Sequence, residues 1–168
     1  MTVHHVVFDA STLILLAKTD LLQIWLSHVN TEIPEAVKKE ALAKPGAYDA
    51  QLIGRLIKEG KIDVCKERGS DLAGQIERQF RIGKGEAAAL ALAKEKKCAL
   101  AVDDGVAIKA AKILGVPFLT ALHVLVGLCD QKKIKIKSAV AKLDLLETFG
   151  RYEVSLVADA RSRIEKGR

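Results

Sequence analysis

The chain predicts an α/β fold of three layers, α/β/α, around a central parallel sheet of four to five strands. Three observations carry this. Short aliphatic runs alternate with helix-length stretches along the whole chain, the pattern of parallel strands joined by crossover helices. Apolar residues make up 49% of the chain but aromatic residues only 4%, with one Trp, so the core is aliphatic and Ala-rich, as suits helices packed on a sheet. At 168 residues the chain suits one domain, 1–168, that needs no staples.

The elements follow in order. Val3 to Phe8 is a buried strand closed by Asp9. Ser11 or Thr12 then caps a helix to about Lys18, and Asp20 caps a short one carrying Trp25. Thr31 to Ile33 is a short strand, after which Pro34 takes the first position of a helix that Lys44-Pro45-Gly46 stops. Ala50 to Lys58 is a helix and Ile62 to Cys65 a strand, and Ser70 or Asp71 opens a polar helix through Phe80. Gly83-Lys84-Gly85 breaks the chain before a buried, Ala- and Leu-rich helix, Glu86 to Lys94. Cys98 to Val102 is a strand ended by Asp103-Asp104-Gly105, Val106 to Leu114 a helix, and Pro117 to Leu119 a strand. From about residue 120 to 168 the chain is helical, at Ala121–Asp130, Ser138–Phe149 and Glu153–Glu165. Tyr152, Leu156, Ala160 and Ile164 recur every fourth residue there, as one apolar face.

Cys65, Cys98 and Cys129 are odd in number and form no CxxC pair, which reads as buried thiols in a reducing cytoplasm. No signal peptide or membrane-length apolar run is visible, so no membrane partner is expected. The net charge of +6 is uneven: residues 131–168 hold 10 basic and 5 acidic groups. A basic end favours an acidic partner such as RNA or an acidic protein, or is simply solvated. The same two readings apply to the lysine run from Lys132 to Lys137.

The informative residues are acids. Asp9 and the pair Asp103-Asp104 each follow a buried strand, and in a parallel sheet those ends share one edge. Only one of the pair need face a site, since successive side chains point opposite ways. Asp104 also precedes a helix, where a capping role would account for it alone. Glu40 lies three and four residues after Val37 and Ala36, on the apolar face of its helix, where it needs a partner. Glu86 opens the Ala-rich helix, whose dipole favours its charge. Carboxylates gathered in one crevice must take up protons or bind a cation, and all-oxygen donors without Cys or His select Mg²⁺ or Mn²⁺.

The stretches VVFDASTLILLAK, IPEAVKKEAL, GKGEAAALALAKEK and LAVDDGVAIKAAKILGVPFLT, in that order over residues 3 to 120, resemble the PIN-domain ribonucleases. The C-terminal part resembles the helical end of a prokaryotic PIN subfamily. The resemblance implies a metal-dependent endoribonuclease acting on single-stranded RNA and leaving a 5′-phosphate and a 3′-hydroxyl. It implies catalytic and metal-ligating roles for Asp9, Glu40, Glu86 and Asp104, with Ser11 supporting the site and Asp103 the lesser choice for the fourth acid. Relatives often carry a cation directly after the Asp pair and an Arg four or five residues on, where this chain has Gly105 and Lys109, so phosphate contact is either weaker there or supplied by Lys84, Lys109 and Lys112. The family includes toxins held by antitoxin proteins as well as RNA-processing enzymes, and often forms homodimers.

Two other readings compete. GKGEAA at residues 83–88 spells a dinucleotide fingerprint, which would make an NAD(P)-dependent oxidoreductase. That signal needs a strand directly before Gly83, where GQIERQFRI looks like a polar helix. The other is a PIN fold with a silent site that binds RNA or protein.

Overall fold

Strands and helices alternate along residues 4–66 and 71–166, which the computed structural model describes. The order is β1 (His5–Phe8), α1 (Ala10–Lys18), α2 (Leu22–Leu26), β2 (Asn30–Pro34), α3 (Glu35–Ala41), α4 (Tyr48–Lys58) and β3 (Asp63–Cys65). It continues with α5 (Leu72–Phe80), α6 (Lys84–Lys96), β4 (Ala99–Ala101), α7 (Gly105–Ile113) and β5 (Phe118–Leu119). Three helices follow, α8 (Ala121–Asp130), α9 (Ile136–Phe149) and α10 (Val154–Lys166). Val3 and Ser70, expected at element starts, lie outside the described residues.

All five strands pair in parallel, in the order β3-β2-β1-β4-β5. Val6, Val7 and Phe8 are fully buried although their side chains alternate between faces, so helices cover the sheet on both sides. α6 lies along β1, β2 and β4, where Ala87, Ala89 and Ala93 let its backbone come close. Phe8 meets Trp25 edge to face at 6.0 Å, and the Trp25 indole donates to the Thr31 hydroxyl at 3.0 Å. The polar end of the ring is thus satisfied inside the core. Glu32 on β2 is 7% exposed and meets the His5 imidazole and the Lys96 ammonium, each at 3.0 Å. Among the described residues no helix is long and apolar enough to cross a membrane.

Several local expectations are corrected. Asp9, not Ser11 or Thr12, caps α1. Asp20 caps nothing: it takes a left-handed φ of 54° after α1, and the Tyr48 hydroxyl donates to it at 2.7 Å. Pro34 is still extended, so it precedes the first turn of α3 instead of forming it. Only Gly83 stands outside α6; Lys84 and Gly85 are helical. Ala160 and Ile164 of the expected apolar face are buried, but Leu156 is 53% exposed and Val157 is buried in its stead. Gly83 follows α5 and a short turn, not a strand, so the dinucleotide-binding reading fails for want of its strand–turn–helix frame.

Phe8 is the large side chain of the central strand, closed on both sides. Phe8→Ala is expected to lower the unfolding free energy by about 3–5 kcal/mol, read as the midpoint shift in urea at unchanged slope.

Candidate active site

From the centre of the sheet the chain leaves in two directions. β1 continues to β2 and β3 on one side, while β4 pairs on the other and continues to β5. Loops at the carboxyl ends of β1 and β4 therefore part and open a crevice. Phe8 is in register with Ala101, and the Asp9 amide donates to the Ala101 carbonyl at 3.1 Å. That one bond carries the ladder past the strand and sets Asp9 beside the segment ending in Asp103-Asp104.

Asp9 is fully buried at the foot of the crevice. Its Oδ1 accepts the Thr12 amide at 2.8 Å and its Oδ2 the Ser11 hydroxyl at 3.0 Å. Asp103 takes more donors: the Thr12 hydroxyl at 2.8 Å, the Tyr152 hydroxyl at 2.7 Å, and the Ala121 amide at 3.2 Å. It therefore ties α1, α8 and the α9–α10 turn to the end of β4. Asp104 caps α7, one oxygen accepting the Val106 and Ala107 amides at 2.8 and 2.9 Å. Its other oxygen takes no hydrogen bond among the described residues. Both members of the pair reach the cleft, which the alternation of an extended chain did not suggest.

Glu86 lies in the first turn of α6 and accepts the Gly83 amide at 3.0 Å. Glu40 lies near the end of α3 and is exposed, contrary to the inward-facing, partnered position expected of it. Its carboxylate rests against Gly85, where a Cβ would come within 2.6 Å of Glu40 Oε2. Gly85 thus leaves the space in which the Glu40 carboxylate sits.

Ser11, Glu40, Glu86, Asp103 and Asp104 line one cleft of about 540 Å³ above the buried Asp9. Lys84, Lys109 and Lys112 do not line it; Lys112 stands 5.6 Å over the Phe118 ring, in the last turn of α7. Lys18, Phe149, Arg151 and Tyr152 line it instead. A signal for Lys18 exists in the sequence, because Ser11, Ile14, Leu15 and Lys18 fall on one face of α1 and all four line the cleft. Tyr152 reads as part of an apolar helix face, and nothing local reveals that it turns back to Asp103. Gly150 permits that turn, since a Cβ there would collide with the Tyr152 ring. The lysine run sits at the start of α9, whereas the cleft meets its end; 14 residues of helix separate the two by about 20 Å.

None of the five acids, Asp9, Glu40, Glu86, Asp103 and Asp104, stands in an ion pair among the described residues. Burial pushes the Asp9 carboxyl up to about 7, against hydrogen bonds from Thr12 and Ser11, and the Asp103 charge adds to the rise. Burial also raises Glu86, with the Gly83 amide opposing and the charges of Asp104 and Glu40 adding to it. Burial and the adjoining Asp103 raise the Tyr152 hydroxyl, which keeps its proton and donates. All-oxygen donors with unbalanced negative charge suit a hard cation. As placed, no three His, Cys, Asp or Glu side chains among the described residues form a ready cage. Mg²⁺ asks for less, being commonly held by one or two carboxylates together with waters and substrate phosphates.

The native state holds the Asp9 proton up to about pH 7, while the unfolded chain releases it near 3.8. This group's contribution to stability is therefore complete below pH 3.8 and lost as the pH rises through 7. Without divalent metal, the parent should lose on the order of 4 kcal/mol relative to Asp9→Asn between pH 4 and 8, read by denaturant titration. Asn keeps the cap but cannot titrate. Equal pH slopes for the two proteins would show that Asp9 titrates as an ordinary carboxyl.

No curated protein matches the chain. It is similar in fold to the crystal structure of PAE2754 from Pyrobaculum aerophilum, with a TM-score of 0.53 and 21% identity over 76% of this chain and 98% of that one. A family model described as DUF3368, PIN domain, matches residues 5–166. With that match spanning the β1–β4 switch point, the acidic cleft and the C-terminal helices, the chain belongs to the PIN-domain family, a nuclease-type fold family.

Proposed function

We propose that the chain is an endoribonuclease that cuts single-stranded RNA with Mg²⁺ or Mn²⁺, leaving a 5′-phosphate and a 3′-hydroxyl. One observation carries this reading: four carboxylates, Glu40, Glu86, Asp103 and Asp104, line one cleft above the buried Asp9, and no protein cation is paired to any of these five acids among the described residues. Two unit charges 4 Å apart repel by roughly 4 kcal/mol at an intermediate dielectric, so such a group favours a divalent ion. Asp9, Glu40, Glu86 and Asp104 are the residues that would hold it. When bound, the ion supplies neutralising charge and Lewis acidity toward a phosphoryl oxygen.

The chain's own groups set the stage. Ser11 and Thr12 fix the Asp9 carboxylate, and Thr12 also fixes Asp103, so two strand ends move as one. The N-terminal ends of α6 and α7 abut the cleft through Glu86 and Asp104, and the positive ends of their helix dipoles favour an incoming phosphate. Asp103 has its donors already and acts as a brace. Two roles share this chemistry: the toxin of a toxin–antitoxin pair, and an RNA-processing enzyme.

Incubation with defined single-stranded RNAs should give cleavage with Mn²⁺ and none with EDTA, with ends mapped by sequencing. Asp104→Asn, which retains the α7 cap, should lose cleavage by more than about a hundredfold without loss of thermal stability. RNA binding without cleavage by the parent would mark a binding module and overturn the nuclease reading.

Gly85→Ala separates the site from the fold. Removing a helical glycine stabilises by about 0.5–1 kcal/mol, yet the new methyl must push Glu40 aside. Mn²⁺ affinity by calorimetry should fall about ten- to hundredfold while the melting temperature holds or rises.

A further inference from the structure

We infer that Phe149, Lys18 and Arg151 form an RNA-gripping rim on the acidic cleft, Phe149 stacking an unpaired base while the two cations hold the flanking phosphates. The inference rests on the nuclease reading and adds how the substrate is gripped.

Phe149 is out of place as a core residue. It ends α9 at the cleft and is 49% exposed, whereas Phe8 and Trp25 are buried and Phe80 and Phe118 pack against the core. The Lys18 ammonium stands 5.6 Å from the centre of its ring. Arg151 follows two residues later, in the α9–α10 turn, and lines the same cleft.

Lys18 and Arg151 are in no ion pair among the described residues, although carboxylates line the cleft with them. The cleft thus has carboxylates at the strand ends and cations with an exposed ring at the end of α9. Single-stranded RNA presents what each part lacks: anionic phosphates at a regular spacing, and base faces free to stack. Stacking on an aromatic ring tolerates any base, and nearby cations strengthen it. A duplex keeps its base faces covered, so a rim of this kind selects unpaired strands.

The test is binding of a short labelled single-stranded RNA, by fluorescence anisotropy with Mg²⁺ in an Asp104→Asn background. Phe149→Ala should weaken binding roughly 5- to 150-fold with an unchanged salt slope, and Phe149→Trp should restore it. Lys18→Gln and Arg151→Gln should each flatten the slope of log affinity against log salt by about 0.7. An oligomer with one abasic position should bind the Phe149 protein more weakly than the intact strand, and the Phe149→Ala protein no differently. The rim is overturned if Phe149→Ala binds as tightly as its background, or if the abasic penalty is the same with and without the ring. Cleavage by the parent with either of those results sinks the rim alone. Binding through Phe149 without cleavage by the parent sinks the nuclease reading alone. Absence of any RNA binding sinks both.

Discussion

The parallel pairing of β1 with β4 is the constraint on which the rest of the molecule depends. A strand slipped by one residue would turn Asp9 to the other face of the sheet and part it from Asp103. Buried aliphatic side chains on both faces of β1 forbid that slip, so the packing that holds the sheet also sets the spacing of the acids. The Thr12 hydroxyl then couples the first turn of α1 to Asp103, and a fold-level register becomes a local geometry.

Carboxylates that line one cleft need an explanation, and helix ends supply part of it. Asp9 and Asp104 cap α1 and α7, and Glu86 sits in the first turn of α6, so each faces backbone amides that have no helical partner. These amides offset part of the repulsion, where no lysine or arginine is paired with these acids among the described residues. Asp9 shows that the compensation is incomplete, since burial still holds a proton on it near neutrality. Glu32, also buried on β2, is treated differently, with the Lys96 ammonium and the His5 imidazole each at 3.0 Å. One chain therefore pairs a carboxylate that only has to be stable and leaves unpaired, among the described residues, the four that line the cleft and Asp9 beneath them.

The sheet, the order of its elements and the acids at the strand ends were legible in the sequence because they follow from short-range pattern. Short apolar runs ending in Asp mark strand ends, and the parallel topology brings those ends together whatever their separation along the chain. Caps were harder, since Asp9, Ser11 and Thr12 all suit the position and only the backbone decides which one takes it. The cations were harder for a related reason: Lys109 and Lys112 follow the Asp pair in sequence, yet the cations that line the cleft are Lys18 and Arg151. Lys18, Arg151 and Tyr152 come from helix ends that meet only in the tertiary structure. Tyr152 falls on the four-residue spacing of an apolar face, so periodicity disguised its hydrogen bond to Asp103.

That hydrogen bond has a consequence for how chains of this kind can drift. The turn from Gly150 to Glu153 sets Arg151 and Tyr152 against the end of β4, so an insertion there would shift both out of reach. The turn between α8 and α9, with its exposed lysines, sits at the opposite end of α9 and can lengthen freely. Length variation should therefore accumulate at one end of that helix and be purged at the other.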